Sequence, residues 1–245
     1  VLLNQNYYQK FSNESLTVPS QRIFDPNITE HRIFFTDKCD GTTPTNADHI
    51  VIYKRFGQQF WHPVKAAQYG IECLARFEET NEDIYFQIAE INLRTIATQS
   101  RQLNPKSLLI EYSFDFALHG DRKNMIHAPW RSAMAQGQAI SLSMWMYHIT
   151  KEKYYLNLAN EFMQPLLNIC NESDFDYPCI TFRDKGQNLW FEEYSGDVAP
   201  MKVINGHIFA LWGLYDYWVV TKDPKVLALL NEGIDTLELE FNKFR

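Results

Sequence analysis

Pro129-Trp130-Arg131-Ser132-Ala133-Met134-Ala135-Gln136-Gly137-Gln138-Ala139-Ile140 is the stretch around which the chain is arranged. Pro129 suits the first turn of a helix, where its missing N–H is not needed. Small residues at 133, 135, 137 and 139 let a second backbone come close. Gly137 costs a helix about 1 kcal/mol relative to alanine, so a packing reason is expected for it. Gln136 and Gln138 carry amides, each with donor and acceptor capacity, into an otherwise apolar run. Such a stretch fits a tightly packed core helix, and it also fits a buried helix end beside a polar cavity.

Outward from this stretch the chain repeats itself. A proline opens each unit at Pro63, Pro129 and Pro200, and a glycine follows at Gly70, Gly137 and Gly206. A threonine closes the first helix at Thr80, Thr150 and Thr221, and a charged turn comes after each. Ile84, Ile88 and Ile91 then fall on one side of a second helix, as do Leu156, Ala159 and Phe162. The spacing predicts helices near 62–79, 83–102, 130–149, 152–169, 201–220 and 224–241. A single αα-hairpin cannot bury its own apolar face, so the hairpins must stack. The expected fold is mainly α, an incomplete α/α toroid of three αα-hairpins over 61–245. Residues 1–60 read as a short β or irregular arm, with strands near 31–36 and 50–56.

Two long connections fall at the same place in the repeat. In the first, Ile110, Tyr112, Phe114, Phe116 and Leu118 alternate with Glu111, Ser113 and Asp115. In the second, Asp184-Lys185-Gly186-Gln187 reads as a turn between strands. Equivalent insertions in a repeat array fall on one face, so two β-hairpins are expected at one end of the toroid. That puts Glu192, Glu193 and Tyr194 where the second hairpin returns to the helices.

The formal net charge of −7 argues against a general polyanion binder, and no nucleic-acid partner is expected. No run of 18 apolar residues is present, so no membrane span is expected. Cys39, Cys73, Cys170 and Cys179 lack metal-type spacing, so neither zinc nor another cofactor is expected. Cys170 and Cys179 flank a short acidic loop and fit either a bridge or buried thiols. Asn13-Glu14-Ser15, Asn27-Ile28-Thr29 and Asn171-Glu172-Ser173 are glycosylation-type triplets. They point towards a secretory, periplasmic or extracellular setting, with a cytoplasmic one left open. The start at Val1 is read as that of a mature or excised chain.

Cations for an anionic ligand are available at Arg122, Lys123, His127 and Arg131, and at Arg183, Lys185 and Lys202. Arginine suits bidentate recognition of carboxylate or sulfate. Asn205 and His207 flank Gly206 and could each bond a sugar hydroxyl. Trp130 and Trp190 are candidate sugar platforms. Glu111, Asp115 or Asp197 could pair with Glu193 across a cleft, as a glycoside hydrolase requires.

The run from Pro129 to Ser141, the block Trp190-Phe191-Glu192-Glu193-Tyr194, Asn205-Gly206 and Gly213-Leu214-Tyr215-Asp216 together resemble the C-terminal domain of the D-glucuronyl C5-epimerases. These convert glucuronate to iduronate within heparin-type chains. The resemblance covers roughly residues 60–245 and is strongest from 129 to 216. It implies a uronate-containing polysaccharide as partner, and proton transfer by Glu193 and Tyr194. Arg131, Gln138, Asn205, His127, Arg183, Trp130 and Trp190 are the expected substrate contacts. The family's domain continues into a fourth helical unit with further active-site tyrosines, which this sequence does not contain. An open apolar edge, pairing two copies at the C-terminal helix, is therefore expected, and catalysis by the chain is left open. A hydrolase or lyase on the same toroid, or a glycan-binding scaffold, are the competing readings.

Overall fold

The computed structural model describes residues 38–55, 57–120, 123–174 and 179–242. Three helix pairs dominate it: α1 (Pro63–Thr80) with α2 (Asp83–Gln99), α3 (Ala133–Thr150) with α4 (Lys153–Met163), and α5 (Ile204–Thr221) with α6 (Pro224–Asn242). The threonine register has a local chemical origin. The hydroxyls of Thr80, Thr150 and Thr221 donate to the carbonyls of Arg76, Met146 and Tyr217 at 3.0, 2.9 and 2.9 Å. Each also accepts the N–H two residues on, from Glu82, Glu152 and Asp223. The residue between, Asn81, Lys151 or Lys222, takes the left-handed conformation and returns its N–H to the last turn. The chain thus reverses in two residues and starts the second helix at once.

Helices α1, α3 and α5 pack side by side as one layer, and α2, α4 and α6 each back their own partner. The α3–α5 contact explains Gly137. A Cβ there would meet Ala210 Cα and Phe209 O, each at 2.6 Å. A Cβ on Gly213 would meet Gly137 Cα at 2.5 Å. Backbone lies on backbone at this crossing, and neither position has room for a side chain.

The strands are short. β1 (Tyr53–Arg55) pairs with β2 (Gln58–Phe60), and β3 (Arg101–Asn104) with β4 (Ser107–Leu109), both antiparallel. β5 (Glu111–Tyr112), β6 (Phe116–Ala117), β7 (Met125–Ile126) and β8 (Trp130–Arg131) nest, β6 on β7 inside β5 on β8. β9 (Ile169–Asn171) runs parallel to β10 (Thr181–Arg183), which pairs antiparallel with β11 (Leu189–Phe191). Arg131 and Ser195 bridge the two connections where α3 begins. The alternation in the first connection holds: Ile110, Tyr112, Phe114 and Leu118 are buried, while Ser113 and Asp115 are exposed.

Several expected boundaries move. Pro63 opens α1, but Pro129 and Pro200 each lie four residues ahead of their helix. Trp130 and Arg131 are taken by β8, and Ser132 Oγ caps α3 by accepting from Ala135 N at 3.3 Å. Met201 and Lys202 give their N–H groups to the Glu192 carboxylate instead of entering a helix. α4 stops at Met163, where Pro165 turns the chain through a 3-10 segment, Gln164–Leu167, into β9. α2 stops at Gln99, and 101–104 joins a hairpin absent from the expected set.

Cys39 is bonded to Cys73, and Cys170 to Cys179. The first bond closes a separation of 34 residues, a constraint on the unfolded chain worth about 4 kcal/mol. It fastens the segment ahead of β1 to the middle of α1. On α6, Leu230 is buried, whereas Leu239 and Phe241 are 44% and 36% exposed. No helix among the described residues is long and apolar enough to cross a membrane. The expected strand at 31–36, the triplets at Asn13 and Asn27, and Arg122 lie outside the described residues.

Candidate active site

Glu193 follows β11 and sits against the N-terminus of α5. Val203, the N-cap residue of α5, makes no side-chain cap bond. Glu193 takes that place: its carboxylate accepts from Asn205 Nδ2 at 3.2 Å, and the Gly206 N–H and the Tyr194 hydroxyl lie near enough to pull its carboxyl down. Gly206 is what allows the approach, since a Cβ there would lie 2.5 Å from Glu193 Cβ and 2.6 Å from its Oε2. Glu193 is only 9% exposed, and burial pushes its carboxyl up to about 6 despite those three donors. Tyr194 is raised above the usual phenol range, first by burial and then by the Glu193 charge. The pair is therefore a carboxylate poised near neutrality beside a protonated phenol.

Behind the pair stands an aromatic wall supplied by the first connection. Phe116 stacks on Tyr194 with ring centres 5.7 Å apart, and Trp130 lies 5.6 Å away, tilted. Tyr112 stacks on Trp130 at 3.6 Å. This corrects the reading of Trp130 as a sugar platform: it is 2% exposed, and its indole N–H donates to Phe114 O. Trp190 is corrected likewise. It is 2% exposed, donates to Asp184 Oδ2 and meets His207 edge-on. Both indoles serve the core, so neither offers a face to a sugar.

The other expected contacts divide. Asn205 bonds Glu193 directly. Gln138 is 2% exposed, and neither end of its amide has a hydrogen-bond partner. Gln136, two residues earlier and on the other side of the helix, is fully engaged. It donates to Leu108 O and Phe162 O and accepts from Ile110 N. Arg131 is buried with its Nε 3.1 Å from Glu111 Oε1. His127 is exposed and pairs with Asp197 at 2.6 Å, which raises the imidazole above its usual range. Arg183 pairs with Glu232 on α6 at 2.5 Å, and Lys202 with Glu172 at 2.8 Å. The guanidinium groups of Arg131 and Arg183 are thus already matched to carboxylates of the chain.

Two further groups prove architectural. The Glu192 carboxylate accepts from the N–H groups of Tyr194, Met201 and Lys202 at 3.0, 2.9 and 3.0 Å, shaping the loop into α5. His207 Nδ1 accepts from Phe191 N–H, its Nε2 meets Gly233 O, and burial lowers it to about 4. The carboxylates that might have paired with Glu193 in a hydrolase each have another partner. Glu111 is bound to Arg131, Asp115 to Ala128 N–H, and Asp197 to His127. Among the described residues no cluster of three or more histidine, cysteine or acidic side chains could hold a metal ion.

A family model described as D-glucuronyl C5-epimerase C-terminus matches residues 104–245, more than half of the chain. The chain belongs to the D-glucuronyl C5-epimerase C-terminal family. A D-glucuronyl C5-epimerase of Caenorhabditis elegans is 37% identical over 97 residues, 39% of this chain and 14% of that protein. The chain therefore matches only a small part of its relative's length. Among solved structures, a family 76 glycoside hydrolase (mannosidase) of Bacteroides thetaiotaomicron gives a TM-score of 0.55 at 14% identity. It covers 76% of this chain and 47% of its own. A family 76 alpha-mannanase of the same organism gives 0.55 at 17% identity, covering 80% and 47%. At such identities the likeness is one of fold, and both agree with a mainly α toroid.

Within this C5-epimerase domain, the sequence reading missed what the N-terminal hairpin contributes. Tyr53 on β1 meets Phe114 at 5.5 Å, and its hydroxyl lies close enough to Tyr194 to act on it electrostatically. Arg55, two residues on, sets its guanidinium over the Phe116 ring at 4.1 Å. The available signal was the Tyr-x-Arg spacing, which puts both side chains on one face of a strand.

Proposed function

We propose that the site removes and returns the hydrogen at carbon 5 of a uronate residue in a polysaccharide. The carrying observation is Glu193: buried, raised to about 6, held by Asn205, and seated beside Tyr194 and the α5 N-terminus. A base of that strength is ionised at neutral pH and still takes a proton readily. The carbon 5–hydrogen bond breaks towards Glu193, and its electron pair moves into the uronate carboxylate. Asn205 holds the carboxyl in position, and Tyr194 beside it can relay its proton. The positive end of α5 and the Asn205 amide favour negative charge beside the reacting carbon. The buried amide of Gln138, without a hydrogen-bond partner of its own, is a further candidate contact for a polar ligand.

Membership of a carbohydrate-acting family supports the polysaccharide, and the uronate is the finer part of the proposal. The two disulfides fit an oxidising compartment, so a secretory, periplasmic or extracellular setting belongs to it as well. So does pairing of two copies at the α6 edge, which light scattering at high concentration checks.

The test is incubation of a glucuronate-containing heparin-type polysaccharide in deuterated water. Deuterium is expected at carbon 5, with no new reducing or unsaturated ends. Glu193→Gln should abolish incorporation while polymer binding survives. Retained incorporation in that variant, or new chain ends from the unaltered protein, refutes the reading.

A further inference from the structure

The sheet β11–β10–β9 has one edge that the helices cover and one that they leave open. β11 is buried along its length against α5 and α6. β9, at the other edge, exposes Ile169 and Asn171. Those two residues stand two apart, so their side chains share one face of the strand. Cys170 between them is only half-buried and is bonded to Cys179. Ile169 is 38% exposed. An open edge strand is a template for pairing with another chain, and folded proteins protect such edges with charge, with proline or with a cover. The sequence of β9, Ile-Cys-Asn, holds neither a charge nor a proline.

A cover is encoded at the end of the strand. Asn171 opens the triplet Asn171-Glu172-Ser173, the acceptor pattern for an N-linked oligosaccharide. Asn171 and Ser173 are both exposed. Glu172 between them is engaged by Lys202 at 2.8 Å. After Asn171 the chain leaves the strand in a 3-10 turn, Glu172–Asp174, so the triplet lies at the surface.

We propose that Asn171 carries an N-linked oligosaccharide, whose first sugar covers Ile169 and closes the β9 edge. This goes beyond the epimerase reading and rests only on the secretory setting that the two disulfides support.

The step balances. The donor is an oligosaccharide carried on a lipid diphosphate, supplied by the transferase of the secretory membrane. The Asn171 amide nitrogen attacks the first anomeric carbon, and a carbon–nitrogen bond forms. The bond from that carbon to the diphosphate oxygen breaks. Lipid diphosphate leaves with the electron pair, and the amide loses one proton to a base of the transferase.

The position leaves the candidate active site open. Asn171 pairs with Arg183, and Arg183 with Leu189, at one end of the sheet. Thr181 pairs with Phe191 at the other end, from which the chain continues to Glu193. The modified residue therefore stands at the end farther from Glu193, about 7 Å of strand away from Phe191's level.

The test uses the full chain made behind a cleavable secretion signal in eukaryotic cells and recovered from both medium and cells. Treatment with a peptide-N-glycosidase leaves aspartate wherever an asparagine bore sugar. Peptide mass spectrometry is expected to show this conversion at residue 171 in most molecules. Unmodified Asn171 in both fractions overturns the proposal. Asn171→Gln and Ser173→Ala should each abolish the conversion, leave hydrogen exchange at carbon 5 unchanged, and lose soluble protein to aggregation on storage. Adding Ile169→Thr to Asn171→Gln should restore the soluble fraction, since it removes the apolar group that the sugar covers. Equal solubility with and without the glycan, or no rescue by Ile169→Thr, overturns the covering role. Absence of carbon 5 exchange in the glycosylated, unaltered chain sinks the epimerase reading and leaves the Asn171 site standing.

Discussion

Replacing Gly206 by alanine isolates the seat of Glu193 from its chemistry. The added Cβ would lie 2.5 Å from Glu193 Cβ, 2.6 Å from Oε2 and 2.9 Å from Cγ. Carbon atoms rest at about 3.5–4.0 Å, so a displacement of about 1 Å is required. The atoms that meet the new methyl belong to a side chain following a strand, so Glu193 yields and the helix stays. Overpacking of this kind costs about 1–3 kcal/mol. In a chain of this size each kcal/mol lowers the melting midpoint by about 2–4 °C. The carboxylate also leaves the Gly206 N–H and the Asn205 amide. A 1 Å misplacement of a reacting group costs on the order of 100-fold in rate. Hydrogen exchange at carbon 5 should therefore fall about 100-fold in a protein that still folds and melts about 2–12 °C early. Gly213→Ala is the contrast. There the Cβ meets the Gly137 backbone at 2.5 Å, and only separation of α3 from α5 makes room. That variant should lose more stability than Gly206→Ala. An exchange rate within twofold of the unaltered protein in Gly206→Ala would refute the role assigned to Glu193's position.

The pH dependence has a definite sign. Glu193 must be ionised to act as a base, so kcat/KM should rise with a midpoint near the value of about 6 to which burial pushes it. Its folded value lies above the ordinary 4.5, so its contribution favours the fold below that pH and is lost as pH rises through about 6. The penalty at neutral pH is about 2 kcal/mol, and Glu193→Gln should remove this slope in denaturant melts taken from pH 4 to 8. A midpoint at the ordinary carboxylate value would count against the desolvated seat. The two glutamines of α3 give opposite outcomes. Gln136→Leu strands the Ile110 N–H and the Leu108 and Phe162 carbonyls and should cost about 2–4 kcal/mol. Gln138→Leu removes an amide without partners, so stability should hold or rise while the KM for the polysaccharide increases. Equal stability losses in the two variants would contradict the assignment.

The parts of this protein that could be read from its residues are those whose cause is local. Thr80, Thr150 and Thr221 recur because a hydroxyl at the end of a helix bonds backward and forward within five residues. Their register therefore revealed the three hairpins. Gly137 announced a close approach, since a glycine inside a helix is unfavourable without one. The alternation from Ile110 to Leu118 followed from side chains pointing to opposite faces of a strand. Glu193 and Tyr194 were legible in another way, through the family motif, because a lone Glu-Tyr pair at a strand end is otherwise ordinary.

What the tertiary structure decided is everything that depends on a partner distant in sequence. Trp130 and Trp190 have the composition of sugar platforms, yet Tyr112 and His207 cover them. Arg131 and Arg183 look like free cations until Glu111 and Glu232 arrive from other elements. Cys39 finds Cys73 from 34 residues away. Gln136 and Gln138 are identical as residues, and only the packing of β4 and α4 on one side of α3 makes one a strut and leaves the other unbonded. Tyr53 shows the same limit, since its Tyr-x-Arg spacing gives a shared strand face and not the Phe114 ring that it meets. Burial and charge at a site are sums over everything that converges there, and that convergence is fixed by how the helices stack.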